Sequence, residues 1–209
     1  MNPPAFDTSV FVNCPFDEDY APILQAILFC IVNLGFDPRL ATERHDSGES
    51  RLEKIRELIE ESRFSIHDLS RCQATRKGEY FRLNMPFELG IDWGCRKYFG
   101  GGREAKRFLI LEEKPHRFQA ALSDISGCDI EVHGAQYDRA IVKVRNWLHQ
   151  QTLCNADGPS KIVNDYITFQ EWDFERKIVL GYSKEDILEY PTFERLASMR
   201  EWITLGKPV

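Results

Sequence analysis

The sequence has no stretch apolar enough to cross a membrane and no surplus of positive charge. Its longest apolar run lies within residues 23–34 and falls far short of the roughly 20 residues that a membrane span needs. No basic segment followed by an apolar one begins the chain, so we expect no signal peptide. Lys and Arg number 27 against 33 Asp and Glu, a net charge of −6, which argues against non-specific binding to duplex nucleic acid.

Motifs for disulfides, metal ions and several common enzymes are also missing. The six cysteines form no CxxC pair, and we interpret them as reduced thiols of a cytoplasmic protein. The five histidines show no metal-ligand spacing. Ser70 lies in no G-x-S-x-G motif, and the glycines at 100–102 are not followed by the Lys-Ser/Thr of a phosphate-binding loop. We therefore expect neither a metal nor a resident cofactor.

The residues that are present follow an alternating pattern of strands and helices. The 209-residue chain is 43% hydrophobic and 29% charged, which is typical of a globular protein. Short β-like runs alternate with amphipathic helical patterns over the first 150 or so residues. This pattern predicts an α/β fold with a flavodoxin-like, doubly wound, parallel five-stranded sheet. The predicted strands lie near 9–13, 36–40, 64–69, 107–112 and 129–133.

Two predicted helices matter for the site. Ser50 and Glu53 are spaced as a capping box at the start of one helix. A second helix is predicted from about Pro86 to Tyr98, which places Glu88 in its first turn. We expect a carboxylate at that position to face the mouth of the ligand cleft rather than the sheet.

A linker at 154–160 divides the chain into an α/β nucleotide-binding domain at 1–154 and a helical appendage at 158–209. Large aromatic residues recur at helical spacing in the appendage. Left in water they would form an interaction patch, so we expect them to pack on the sheet domain or on a partner. A homo-oligomer or a partner protein bound through these helices is therefore expected. The residues are Tyr166, Phe169, Trp172 and Trp202.

Polar residues follow three of the predicted strands at their carboxyl ends, where parallel sheets bind ligands. A further polar loop leads back to Glu88. The candidate site residues by position are Asn13, Pro15, Phe16 and Asp17; Arg39 and Glu43; Asp68, Ser70 and Arg71; and Arg51, Asn84 and Glu88.

Structural roles are alternatives for three of these acids. Asp17 has the spacing to cap the first helix. Asp68 has Arg71 and Arg39 as ion-pair candidates. Glu88 would interact favourably with the helix dipole alone.

The ordered series of motifs resembles TIR-like domains over residues 9–133. VFVNCPFD at 10–17 resembles their first strand, FxSYxxxD, and the amphipathic helix that follows ends at Gly35. GESRLEKIRELIEES at 48–62 is similar to their second helix, and SIHDLS at 65–70 to their next strand. MPFEL at 85–89 resembles the W-C-x-x-E-L box, but it lacks the aromatic-Cys pair before the glutamate.

The resemblance implies an activity. Glu88 aligns with the glutamate of the catalytically active members, which often consume NAD or make cyclic ADP-ribose signals in phage defence. FELG at 87–90 also resembles the end of the nucleophile box of nucleoside 2-deoxyribosyltransferases. Both families cleave an N-glycosidic bond.

The chemistry of such a cleavage suits the candidate residues. NAD is then the substrate, Glu88 stabilises an oxocarbenium ion, and Asp68 holds a ribose hydroxyl or raises the pKa of Glu88. Guanidinium groups bind diphosphate well, so Arg39, Arg51 and Arg71 are candidates for that role. The basic insertion at 72–83, with Arg76, Lys77 and Arg82, is a further phosphate-binding candidate.

We therefore expect an NAD glycohydrolase or ADP-ribosyl cyclase. One alternative is a non-catalytic TIR-like module that senses a nucleotide or scaffolds an assembly. Another is an enzyme similar to the nucleoside deoxyribosyltransferases.

Overall fold

The strands form one parallel sheet, as the sequence predicts. A computed structural model describes residues 5–43, 46–71, 73–74, 77–78 and 82–209. The strand order is β2-β1-β3-β4-β5, and every pairing is parallel. The second and fifth strands are shorter than predicted. The strands are β1 (Ser9–Asn13), β2 (Asp37–Arg39), β3 (Phe64–Asp68), β4 (Arg107–Glu112) and β5 (Glu131–Val132).

Helices connect the strands, and three further helices form the C-terminal appendage at 158–209, called the tail below. Among the described residues, no helix is both long and apolar enough to cross a membrane. The third helix continues as a π-helix, Cys95–Phe99, and the chain turns at Gly100, whose φ is +74°. The helices are α1 (Ala21–Asn33), α2 (Arg51–Glu60), α3 (Asn84–Gly94), α4 (Tyr137–Thr152), α5 (Pro159–Val179), α6 (Lys184–Leu188) and α7 (Thr192–Thr204).

Two local expectations were wrong. Ser50 precedes α2 but makes no side-chain capping bond, and Glu53 pairs with Arg56 at 2.8 Å instead. The α3 helix begins at Asn84 rather than near Pro86, so Glu88 is its fifth residue. Because the helix dipole acts mainly within the first turn, it explains the position of Glu88 less well than the sequence suggested.

The sheet is covered on both faces because alternate side chains of β1 point to opposite layers. Val10 and Val12 pack in the core with α1 and α4, whereas Phe11 packs against Ile55 and Leu58 of α2. This double burial explains why the first strand is apolar without alternation.

The tail packs on the same core as α1. Phe29 of α1 is fully buried, and its ring centroid lies 5.3 Å from Tyr166, 5.4 Å from Phe169 and 5.8 Å from Trp202. Of the four aromatics expected to be buried, only Trp172 remains partly exposed. The C-terminal helices therefore complete the layer that covers this face of the sheet.

The strand order locates the ligand crevice. The chain passes from β1 outward to β2 and, on the other side, from β3 outward to β4. Parallel sheets of this order bind ligands where the direction reverses, at the carboxyl ends of β1 and β3. Asn13 and Asp68 are the last residues of these two strands.

Candidate functional site

A chain of buried polar groups ties the start of α3 to the sheet. The Asn13 amide Nδ2 donates to the carbonyl oxygen of Met85 at 2.9 Å and lies 3.0 Å from His67 Nδ1. With Nδ1 accepting from Asn13, the ring proton is on Nε2, which donates to Asp92 Oδ2 at 3.0 Å. The last member of this series of buried polar groups is Lys106, whose Nζ lies 3.1 Å from Asp92 Oδ1.

The opposite charges of Asp92 and Lys106 compensate each other although both side chains are buried. Burial raises the pKa of Asp92, but the hydrogen bond from His67 and the charge of Lys106 outweigh this effect, so the pKa lies below its usual value. Lys106 also donates to the carbonyl oxygens of Ile59 and Ser62. The α3 helix is thus held at Met85 and at Asp92, on either side of Glu88.

Glu88 is a carboxyl group of the site whose pKa is raised, whereas the pKa values of Asp17, Asp68 and Asp92 are lowered. The residue is only 6% exposed, and within the described part of the chain its carboxylate has no hydrogen bond or ion pair. Burial raises its pKa from 4.5 to about 7, against the opposing charge of Arg51. Burial, rather than the charge of Asp68, is therefore the cause of the shift.

Asp68 is an internal anchor with every contact inside the protein. Its Oδ2 accepts from the Tyr20 hydroxyl at 2.6 Å and from His133 Nε2 at 2.9 Å, and its Oδ1 accepts from the backbone N–H of Ser70 at 2.8 Å. Burial raises the pKa of Asp68, but the hydrogen bonds from His133, Ser70 and Tyr20 outweigh this effect, so the net shift is downward. Neither Arg71 nor Arg39, the partners considered for Asp68, forms an ion pair with it.

The contact between Ser70 and His133 does not make a nucleophilic serine. Ser70 Oγ lies 3.1 Å from His133 Nε2, the same nitrogen that contacts Asp68. The other nitrogen, Nδ1, accepts the backbone N–H of Ala135 at 3.1 Å, so it is not available as a base. A serine triad needs the acid and the serine on opposite nitrogens of the imidazole.

The buried thiol of Cys14 shows that three carboxylates share this region. Burial raises the pKa of Cys14 well above its usual value, and the negative charges of Asp68, Glu88 and Asp17 raise it further. These acids come from the loop after β1, the end of β3 and helix α3. The fold therefore brings together three of the acids that the sequence analysis selected.

Asp17 and Arg71 form a bidentate ion pair at the rim of the site. Arg71 donates from Nε to Asp17 Oδ2 at 3.1 Å and from Nη2 to Oδ1 at 2.8 Å. Asp17 Oδ1 also accepts the backbone N–H of Tyr20 at 3.0 Å, just before α1. The hydrogen bond from Arg71 is the main reason why the pKa of Asp17 is lowered. Arg82 lies 3.6 Å from Asp17 Oδ2.

Arg39 and Glu43 lie at β2 and pair with each other. Arg39 Nε lies 3.0 Å from Glu43 Oε2, and its Nη2 lies 3.1 Å from Glu61 Oε2. Glu43 also accepts the backbone N–H of Leu40 at 2.6 Å. These contacts involve Nε and Nη2 of Arg39 and the carboxylate of Glu43, and none of them is with Glu88 or Asp68.

The remaining candidates differ in exposure. Pro15 is buried, whereas Phe16, Arg51 and Asn84 are exposed. Arg76, one of the basic residues of the insertion, and Cys72 lie outside the described residues. The cysteines within the described ranges are free thiols.

Sequence reasoning missed five members of the two buried networks: Tyr20, Asp92, Lys106, His133 and the bridging role of His67. Each of these residues is polar and lies within, or next to, an otherwise apolar strand or helix. That contrast is the sequence feature that could have identified them. Their partners are many residues away along the chain, so spacing gave no indication of the pairing.

Comparisons with known proteins leave the family open. Neither a protein-family model nor a curated protein matches the chain. Across the described ranges, no group of three or more His, Cys, Asp or Glu side chains has the arrangement of a metal site. The class that the structure defines is a doubly wound α/β protein with C-terminal helices.

Proposed function

We propose that this protein cleaves the N-glycosidic bond between nicotinamide and ribose in NAD, with Glu88 facing the reacting carbon. The observation that carries the proposal is the buried carboxylate of Glu88, which has no hydrogen-bond or ion-pair partner in the described residues. It lies near the carboxyl ends of β1 and β3, where the strand order reverses. A structural carboxylate at such depth is normally paired, because burying an unpaired charge is costly. The resemblance to TIR-like domains supports the same role for Glu88.

The reaction places few demands on the protein beyond a well-positioned negative charge. The bond from C1′ to the pyridinium nitrogen breaks with its electron pair leaving on nicotinamide, which is then neutral. The ribose becomes an oxocarbenium ion, and ionised Glu88 stabilises it at close range in a partly desolvated site. Water, or a nucleophile of the same dinucleotide in a cyclisation, then adds to C1′ and gives up a proton.

The other residues of the site have supporting roles in this proposal. Asn13 and His67 hold α3 and thereby position Glu88. Asp68 orders the loop after β3 through Tyr20, Ser70 and His133. Arg71 binds the diphosphate by exchanging the Asp17 carboxylate for phosphate oxygens, since the fork of a guanidinium fits both groups.

The test is the release of nicotinamide from NAD by the wild-type protein and by two variants, Glu88→Gln and Glu175→Gln. Glu175 is exposed on α5 and serves as the matched control. We expect Glu88→Gln to lose release by orders of magnitude while it still binds NAD, and Glu175→Gln to retain the wild-type rate. Equal rates for wild type and Glu88→Gln would remove Glu88 from the reaction.

The same assay separates the alternatives. A wild-type protein that binds NAD in its assembled form without releasing nicotinamide would be a nucleotide-sensing module. Exchange of the base between a deoxynucleoside and a second free base would indicate a deoxyribosyltransferase. Assembly through the C-terminal helices is part of the proposal and would use their exposed apolar residues, such as Phe174 and Ile178, so the assay includes a series of protein concentrations.

A further inference from the structure

The edge of the sheet opposite β2 contains a slit that the candidate site does not use. Among the described residues, β5 pairs with β4 only at Leu111 and Glu112, so the first part of β4 has a strand neighbour on one side alone. The segment 127–129 runs past this free edge without joining it. The cavity between them has a volume of about 340 Å³, and we call it the edge slit. That volume is within the range of small-ligand pockets.

The edge slit lies toward the opposite edge of the sheet from Glu88. Its lining includes Trp93 and Arg96 from the end of α3, Trp147 from the end of α4, and Phe108 near the start of β4. Helices of this fold run antiparallel to the strands, so these positions lie at the amino edge of the sheet. Glu88 and Asp68 lie toward the carboxyl edge.

Aromatic rings line the edge slit from both helical layers. Trp93 and Phe108 lie with their centroids 6.1 Å apart, and Trp147 lines the slit from the opposite face of the sheet. A planar ring entering between the layers would contact indole and phenyl groups, which favour stacking. The free edge of β4 adds polar groups: Arg107 N–H bonds toward β3, so the N–H and C=O of Phe108 point toward the slit. A heteroaromatic ring with donors and acceptors on its edge matches these groups.

Two guanidinium groups add positive charge to the edge slit. Arg96 lies over the Phe108 ring at 5.4 Å and has no hydrogen bond or ion pair with any described residue. Arg107 donates from Nη1 to backbone carbonyls only, and its Nε and Nη2 have no partner in the described ranges. Asp129 is the acidic residue in the lining, so the local charge is positive in a protein of net charge −6.

We propose that the edge slit binds a purine mononucleotide, with the base between Trp93 and Trp147 and the phosphate on Arg96 and Arg107. The ring, the polar edge and the anionic group of such a ligand each have a counterpart in the lining. This site is separate from the proposed NAD site and does not depend on the proposed activity.

The test is binding of AMP to the full chain, followed by tryptophan fluorescence and by calorimetry. Because Trp93 and Trp147 line the slit, stacking of the base quenches part of the emission. We expect saturable binding with a dissociation constant below about 1 mM, and at least ~10-fold weaker binding of adenosine, which lacks the phosphate.

Variants assign the binding to this slit. Arg96 is half-buried and Arg107 is exposed, and we expect Arg96→Gln and Arg107→Gln each to weaken AMP binding by ~10-fold. Arg200→Gln, an exposed control on α7, is expected to bind AMP as the wild type does. Absence of saturable AMP binding would overturn the proposal. Binding that survives Arg96→Gln and Arg107→Gln but is lost in Arg71→Ala would overturn it as well, because AMP would then occupy the carboxyl edge.

Discussion

The Asn13 side chain donates a 2.9 Å hydrogen bond to the carbonyl oxygen of Met85, three residues before Glu88. It thus joins the end of the central strand β1 to the first turn of α3. Because the same amide group contacts His67, it also joins this turn to the buried pair of Asp92 and Lys106. The position of Glu88 therefore depends on residues that do not touch it.

Replacing Asn13 by Ala should destabilise the protein and misplace Glu88. The Met85 carbonyl and His67 Nδ1 would lose a buried donor, at a cost of about 1–3 kcal/mol in the free energy of unfolding. Urea denaturation measures this loss, with exposed Asn146→Ala as the control. If the two variants were equally stable, the contact would have no role in holding α3.

Replacing Glu88 by Gln should stabilise the protein in a pH-dependent manner. The folded pKa of about 7 lies above the unfolded value near 4.5, so the folded protein binds more protons between these values. The charge of Glu88 therefore destabilises the fold increasingly as the pH rises through this range, and fully above about 7. We expect Glu88→Gln to gain on the order of 1–3 kcal/mol at pH 8 and little at pH 4.5.

Thermal unfolding of wild type and Glu88→Gln across this pH range measures the difference. Glu175→Gln should show no such pH dependence, because Glu175 is exposed. A gain for Glu88→Gln that is the same at pH 4.5 and pH 8 would contradict a raised pKa.

Replacing Tyr20 by Phe removes the 2.6 Å hydrogen bond to Asp68 and leaves the aromatic ring in place. Hydrogen bonds to charged groups contribute about 1.5–3 kcal/mol, and we expect a loss in that range at neutral pH. The folded pKa of Asp68 is lowered, so this stability is present above the usual value of 3.8 and is lost as the pH falls through the folded pKa. Tyr98→Phe is the control, since Tyr98 is 89% exposed. A loss as small as that of the control would show that the hydroxyl contributes nothing to the fold.

Replacing Phe29 by Ala tests whether the tail belongs to the core. Phe29 contacts three aromatic residues of α5 and α7, and its truncation should cost about 3–5 kcal/mol. Phe193→Ala, at a position that is 64% exposed, should cost far less. The comparison is made by urea denaturation. A small loss for Phe29→Ala would mean that the tail contributes little to the stability of the sheet domain.

The strands and helices of the fold could be predicted from the sequence alone. The apolar runs at 9–13, 64–69 and 107–112 are strands because their residues are buried on both faces, a pattern that is local and visible. The alternation of strands and helices then predicted a parallel sheet, and the carboxyl ends of the strands pointed to Asn13, Asp17, Asp68 and Glu88. Boundaries that depend on weak local signals, such as the start of α3 and the cap at Ser50, were predicted less well.

How these residues interact depends on contacts that form only in the folded protein. Hydrogen bonds join Asp68 to His133, Arg71 to Asp17, and His67 to Asp92. The two partners of each pair are distant in sequence. The pKa of Glu88 depends on burial by neighbours from other elements. The spacing of residues within its own helix does not predict that burial. The edge slit likewise exists because β5 pairs with only the last two residues of β4. Strands and helices follow from local patterns, whereas burial, charge pairing and cavities arise from contacts between distant segments.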